Sequence, residues 1–372
     1  MRPVADPVVT GTGVALPGAR CAADLLALTY GSARPVPEPW PSRDRDTRFK
    51  DRATRLALMA GEAALTAAGL LDAGGPTVPG EEVGVIVSSN LGTLDTVCRV
   101  TETLDRDGPA ALRVVNLPNA CSNATASSVA IRFALHGINL TLCNGATSGL
   151  DALGWAALAL ATARARRLLV IGVEPAGPAA RHCAGASGTL DGAAALVLES
   201  ADAAAGRGRA TLTGYARRTN ADAAIAAAAA AAGPAGRATG CGLWLPPQEG
   251  AIGVGAVCHP DTPEDRAARA ARAPRPGFDP GRRDRDTEGD SHHPDGIGYA
   301  TVCDLGRALP PASGAFGVLQ CVAATAWITA GTPAGVPPTA LAVAGGGRAD
   351  DAAAALLLSA AHHAGAPDEG EE

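Results

Sequence analysis

Three observations on the 372-residue sequence predict an α/β fold in which helices cover a mostly parallel sheet. Short β-branched or leucine-rich runs alternate with stretches of helical periodicity. Glycines fall where those stretches stop. Apolar residues make up 47% of the chain but aromatics only 3%, so the core is built from Ala, Val and Leu in closely packed elements, without large rings. Such alternation is the pattern of βαβ units, whose helices cover both faces of a sheet. A chain of this length forms one large domain or two intimately packed ones, because single cores stop growing at roughly 250–300 residues.

Val8 and Val9, followed by Thr10 to Val14, predict a buried first strand in which Gly11 and Gly13 permit close backbone approach. This Gly-x-Gly does not become a dinucleotide loop, since Pro17 intervenes before Gly18. From Asp51 to Leu71 the residues Leu56, Met59, Ala60, Ala63, Ala67 and Leu70 recur at helical spacing, with Gly69 placed to end the helix. Val83–Val87 reads as a strand, Ser88–Asn90 as a loop and Asn123–His136 as a helix closed by Gly137. Next come a strand at Leu140–Leu142, a helix at Ser148–Ala163, and strands at Leu168–Val173 and Ala193–Leu198.

After Tyr215 an almost pure alanine run, Ala223–Ala232, favours helix. Asp261–Asp295 is rich in Arg, Asp and Pro, and Phe278 is its one large apolar residue. It buries too little to offset its ordering entropy, so a mobile surface loop is expected at 261–295. Order is expected to return at Gly296–Asp304, then a helix at Gly317–Thr329, a strand at Ala340–Ala344 and a strand or helix at Ala352–Leu358. The acidic end, 368–372, is expected to be a solvated tail.

The 31 basic and 37 acidic residues give a formal charge of −6, and Lys50 is the only lysine. No basic field exists for a nucleic-acid partner. Nine cysteines without a CxxC pair read as reduced thiols. No window reaches ~18 uninterrupted apolar residues and the N-terminus has no apolar signal region, so no membrane association and a cytoplasmic location are expected. Ser148 and Ser187 lack the strand–Gly-x-Ser-x-Gly–helix context of a hydrolase elbow. His292, His293 and Cys303 lie on or beside the expected loop without ligand spacing, so neither metal nor cofactor is expected.

Six segments in order resemble the β-ketoacyl synthase family: "VVTGTGVALPG", "DRATRLALMAGEAALTAAGLLD", "VGVIVSSNLGTLDT", "LPNACSNATASSVAIRFALHGINLTLCNGATSGLDALGWAAL", "LLVIGVE" and "DGAAALVLE". Beyond 205 the likeness rests on "SGAFGVLQCVAATAW" and "LAVAGGG". The resemblance implies the thiolase fold, two pseudo-symmetric halves in an α-β-α-β-α layered structure, here 1–205 and 206–372. It also implies a nucleophilic cysteine at a helix N-terminus, where free N–H groups and the helix dipole lower a thiol pKa and form an oxyanion hole.

Overlaying "NGATSGL" on the family's "TACSSGL" puts Ala146 at the nucleophile position, 28 residues before Glu174, the family spacing (174 − 146). Cys143 falls three residues earlier, on the strand. Cys121, in "NACSN", matches the segment that opens a dimer-interface helix, with Asn123 at the family's asparagine, and reads as a buried small hydrophobe. The family's second histidine falls near Pro311, and no histidine stands between His293 and His362. No lysine is left for the family's lysine position, His259 in "VCHPDTPED" reads as a surface histidine, and "VAGGGRADD" lacks the gatekeeper phenylalanine.

Within the family, a lost nucleophile on a kept scaffold describes the chain length factor. That subunit forms a heterodimer with an active ketosynthase α subunit and shapes the tunnel for a chain carried by an acyl carrier protein. Many chain length factors hold glutamine where Ala146 stands. The resemblance makes Leu112, Val115, Leu117, Pro118 and Cys121 candidates for the tunnel wall and Asn123 for the interface. The short chain and few aromatics match a partner for a reduced, polyene-type product. Two alternatives stay open: an active ketosynthase or acyltransferase using Cys121 or Cys143, and a catalytically dead thiolase-fold scaffold.

Overall fold

The computed structural model describes residues 6–31, 47–184, 188–233, 239–244, 298–330, 338–347 and 350–361. The stretch 261–295, the tail 368–372, Ser187, His259, His292 and His293 lie outside them. The N-terminal half supplies strands β1 (Val8–Ala15), β2 (Val83–Ser88), β3 (Asn139–Leu142), β4 (Arg167–Glu174) and β5 (Gly192–Glu199). The C-terminal half supplies β6 (Ala210–Arg218), β7 (Thr239–Trp244), β8 (Gly298–Cys303), β9 (Thr339–Gly345) and β10 (Ala353–Ala360). The principal helices are α1 (Ala22–Thr29), α2 (Arg52–Ala67), α3 (Leu94–Asp107), α4 (Ala124–Arg132), α5 (Ser148–Ala161), α6 (Ala221–Ala231) and α7 (Phe316–Ala330).

The strands form one hydrogen-bonded series, β8-β7-β9-β10-β6-β1-β5-β4-β2-β3. Outward from the centre one half runs β1-β5-β4-β2-β3 and the other β6-β10-β9-β7-β8, so adding five to each number turns the first into the second. In both halves the two inner pairings are antiparallel and the two outer ones parallel. The expected mostly parallel sheet is therefore a mixed one. Helical and strand periodicity reveal an element but not its direction, and the last strand of each half inserts antiparallel beside the first.

Among the described residues two rungs join the halves, Val8 with Thr211 and Val9 with Ala210. Two sheets hinged so narrowly leave room for a helical layer between them. Leu168 and Val170 of β4 face that layer while Leu169, Ile171 and Val173 face the other way. In β10, Ala354, Leu356 and Leu358 face inward and Ala353, Ala355 and Leu357 outward. The inner faces pack on α5 and α7, the N-terminal outer face on α2 and α4, and the C-terminal outer face on α6. These are the five layers of the thiolase fold, and strands buried on both faces read as continuous apolar runs.

Local chemistry sets the elements. Asp51 caps α2 by accepting from Thr54 N at 2.7 Å, and Gly69, at φ +71°, ends the turn that follows. The helix buries Leu56, Ala57, Ala60, Ala64 and Leu65, whereas Ala67, assigned to the same face from the sequence, is exposed. A Cβ on Gly11 or Gly13 would collide with the carbonyl oxygens of Ala64 and Ala60, so these glycines let β1 lie against the α2 backbone.

The helix expected to run to His136 stops at Arg132. Ala134 takes φ +50° and Leu135 N bonds back to Ala130 O at 2.9 Å, a left-handed closure without glycine. The 18-residue apolar stretch Ser313–Ala330 has the length and composition to cross a membrane, yet 72% of it is buried. It contains α7 of the central layer.

Candidate functional site

The central helices begin at matching turns. Gly145–Thr147 leads into α5 and Ser313–Ala315 into α7, each a single 3-10 turn, and the two turns pack together. Gly145 and Ser313 open them in the left-handed region, at φ +69° and +38°. The first helical turns cross at Gly149 and Gly317, where a Cβ on Gly149 would lie 2.9 Å from both Gly314 O and Gly317 N. Ala146 is therefore half-buried in the turn at the N-terminus of α5, beside the N-terminus of α7.

Three polar groups hold this junction. Asn90 donates through Nδ2 to Gly145 O at 2.8 Å and to Ser313 Oγ at 2.7 Å, and accepts at Oδ1 from Gly145 N at 3.2 Å. Glu174, fully buried at the end of β4, accepts from the amides of Asn90, Leu91 and Gly314 at 2.8, 2.9 and 2.9 Å and from Ser89 Oγ at 3.2 Å. Burial pushes its carboxyl above the ordinary range, and those hydrogen bonds oppose the shift. Asp151 takes Thr147 Oγ1 at 2.9 Å, Asn144 Nδ2 at 3.0 Å and Tyr215 OH at 2.7 Å, fixing both ends of the Ala146 turn. Burial and this carboxylate together raise the Tyr215 pKa.

Pro311 stands just before the second turn, exposed, with its carbonyl held by Leu190 N at 2.8 Å. Gly345, at the end of β9, comes close enough to Thr147 that a Cβ there would lie 2.9 Å from Cγ2. The structure thus brings the Ala146 turn together with the segment after Pro311 and with Gly345 at the end of β9. None of Asn90, Ala146, Asp151, Glu174, Ser313 and Gly345 is a thiol, imidazole or amine. Asn90, Asp151 and Ser313 were not singled out from the sequence: Asn90 and Ser313 act through pairings across 55 or more residues, and Asp151 joins its local partners Asn144 and Thr147 to Tyr215, 64 residues on.

Cys143 lies one residue beyond β3, not on the strand, and is exposed, with Sγ 3.9 Å from Asn90 O. It lines a cleft of about 260 Å³ together with Val87, Leu91, Leu94 and Val97, among others. Ala120, Ser122 and Thr125 form part of the opposite wall.

The candidate wall residues lie within one stretch of chain, 112–121, ahead of α4. Leu112 is half-buried, Leu117, Pro118 and Asn123 are exposed, and the Val115 side chain lies outside the described residues. Cys121 is exposed, which overturns its reading as a buried hydrophobe. It sits between the turn Val114–Ala120 and α4, where its N bonds Pro118 O at 3.3 Å and its carbonyl takes Ala124 N at 3.0 Å. Those bonds fix its backbone on the surface. Asn123 precedes α4 without capping it through its side chain.

The terminal strand β3 continues this surface. Leu140 on the strand is 40% exposed, flanked by Ile131 of α4 at 81% and by Trp155 and Leu158 of α5 at 52% and 53%. Among the described residues every exposed large apolar side chain falls between Tyr30 and Leu158. At the opposite end of the sheet, Tyr30 OH, just after α1, reaches Cys303 of β8 at 3.8 Å, and burial pushes that thiol up to about 11.

Residues 36–210 match the N-terminal domain of β-ketoacyl synthases. No curated protein matches the chain in sequence. Among solved structures, the ishigamide ketosynthase/chain length factor is similar at 23% identity and TM-score 0.64, covering 96% of this chain and 100% of its own. A type II polyketide synthase ketosynthase in complex with its acyl carrier protein (AntDE:AntF) matches at 16% identity and TM-score 0.68, over 96% of this chain and 100% of that one. A β-ketoacyl synthase from Burkholderia phymatum STM815 matches at 15% identity, with the same coverage and TM-score 0.68. The fold is that of the ketosynthases.

Proposed function

We propose that this chain, a ketosynthase-type thiolase fold whose residues 36–210 match the β-ketoacyl synthase N-terminal domain, is a non-catalytic chain length factor. It pairs with an active ketosynthase and shapes the tunnel in which a chain grows on an acyl carrier protein. One observation carries the reading: the turn at the N-terminus of α5 is fully framed by Asn90, Asp151 and the α7 turn, and the residue it presents is Ala146. An alanine offers no electron pair for acyl transfer.

The exposed apolar surface supports the pairing. A sheet-end strand and both of its covering helices present Leu140, Ile131, Trp155 and Leu158 to solvent, a combination that marks an association surface. We assign Leu112, Val115, Leu117, Pro118 and Cys121 to the tunnel wall on the family resemblance; Ala120 and Ser122, the neighbours of Cys121 in the chain, line the cleft that holds Cys143. A bulky wall side chain shortens the product, because overpacking a closed apolar site costs about 1–3 kcal/mol. We assign the halves to 1–205 and 206–372, the location to the cytoplasm and the product to the reduced, polyene type.

An active ketosynthase working through Cys143 is the second reading, favoured by the exposure of that thiol in a cleft. Co-expression with candidate ketosynthases, followed by size-exclusion chromatography and a malonyl condensation assay on the pair and on each chain, separates the two. The chain length factor reading requires condensation by the pair alone, and survival of that activity when every cysteine of this chain is replaced. Condensation by this chain alone, lost in Cys143→Ala, overturns it.

A further inference from the structure

The cleft between the Ser89–Val97 segment, the 120–125 segment and the end of β3 has a composition that selects its ligand. Among the described residues its lining holds no Asp, Glu, Lys, Arg or His, so none of them compensates a charged headgroup. Val87, Leu91, Leu94, Val97 and Ala120 supply an apolar wall.

The hydroxyls differ in availability. Ser89 Oγ is engaged with Glu174 and with Gly92 N at 2.9 Å, and Thr125 Oγ1 with Thr54 Oγ1 at 3.1 Å. Thr93 is nine-tenths buried and its hydroxyl makes no hydrogen bond among the described residues. Thr141 Oγ1 is shut off from solvent with no partner. A shut-off hydroxyl such as that of Thr141 costs stability until an acceptor arrives, Thr93 supplies a second donor, and an uncharged acceptor that fits between apolar walls is a carbonyl oxygen. One soft nucleophile, the exposed Cys143 thiol, lines the same space.

We propose that this cleft binds a neutral α,β-unsaturated carbonyl compound with a short linear chain and that Cys143 captures it by conjugate addition. The Sγ–Cβ bond forms as the ligand's C=C π bond breaks, and the thiol proton ends on the α-carbon. Nothing is oxidised or reduced and no group leaves. The Thr93 and Thr141 hydroxyls receive the carbonyl oxygen, where negative charge builds during addition, and the apolar wall holds the tail. The inference stands on the cleft alone and does not depend on a ketosynthase partner.

Peptide-resolved mass spectrometry tests it on the full chain, using a linear six-carbon enone and, separately, acrylamide as the small reference electrophile. Cys21 and Cys183, exposed thiols outside the cleft, are internal controls. The enone is expected to modify Cys143 about tenfold faster than any control, the effect of a weakly bound, oriented reactant, while acrylamide shows no such preference. Leu94→Trp, which fills the cleft, removes the preference and leaves the control rates unchanged. Val97→Phe at the exposed rim does the same if Leu94→Trp misfolds by circular dichroism. Equal enone rates at Cys143, Cys21 and Cys183, the same preference with acrylamide, or a preference that survives the filled cleft each overturn the proposal.

Discussion

Glu174 accepts three backbone amides and one hydroxyl at zero exposure, so each carboxylate oxygen is aimed at donors and neither at another acceptor. Glu174→Gln keeps the shape but turns an NH2 against those N–H groups, and is expected to destabilise the fold by about 2–4 kcal/mol. The pH dependence has a definite sign. Burial holds the folded-state pKa above the ordinary 4.5, so the folded chain keeps its proton longer than the unfolded one. The stability this contributes is whole below 4.5 and is lost as pH rises through the folded value. Urea titrations of the parent and of Glu174→Gln at stepped pH read it: the parent loses stability across that window and the variant lacks the component. At the same scale, burial raises the thiols of Cys303 and Cys321, which leaves thiol chemistry to the exposed cysteines.

The elements were largely legible because their signals are local. The β1 valines, the α2 stripe and the apolar runs of β4 and β5 declare themselves within ten residues or so. What stayed hidden is non-local. Strand direction in β5 and β10 depends on where the chain re-enters the sheet, and the Asn90 and Asp151 clamps depend on side chains far apart in sequence. The end of α4 at Arg132 was missed because Ala134 carries the left-handed turn usually given to glycine. The crossing of α5 and α7 falls in the same class. Gly149 and Gly317 sit at equivalent places in their helices, one residue past the start, and each lets the other helix approach. Gly149→Ala brings a Cβ to 2.9 Å from backbone atoms at Gly314 and Gly317, which cannot give as a flexible side chain would. Thermal unfolding is expected to show a loss of about 2–3 kcal/mol, against a gain of a few tenths where alanine merely replaces an unconstrained helical glycine.

Taken whole, the molecule repeats one topology twice but exposes the two copies unequally. Among the described residues the exposed large apolar side chains all lie in the N-terminal copy, and apart from Tyr30 and Phe49 they fall on β3, on its flanking helices α4 and α5, and along α3 and the turn after it. Symmetry of the fold offers no reason for that difference, whereas an assembly through the N-terminal edge does, since a partner chain would cover Ile131, Leu140, Trp155 and Leu158 together. Replacing such residues tests the idea without disturbing the fold, because Ile131 is 81% exposed and contributes little to the core. The double variant Ile131→Asp, Leu140→Lys is expected to melt as the parent does in the isolated chain, within about 0.5 kcal/mol. Its association with a ketosynthase partner, read by analytical ultracentrifugation, is expected to weaken by at least about a hundredfold, since charges are driven into a desolvated contact. Condensation by the pair falls with it and returns at high protein concentration. Unchanged association in a variant that melts normally would move the proposed interface off this edge, and with it the proposed tunnel wall at Leu117 and Cys121.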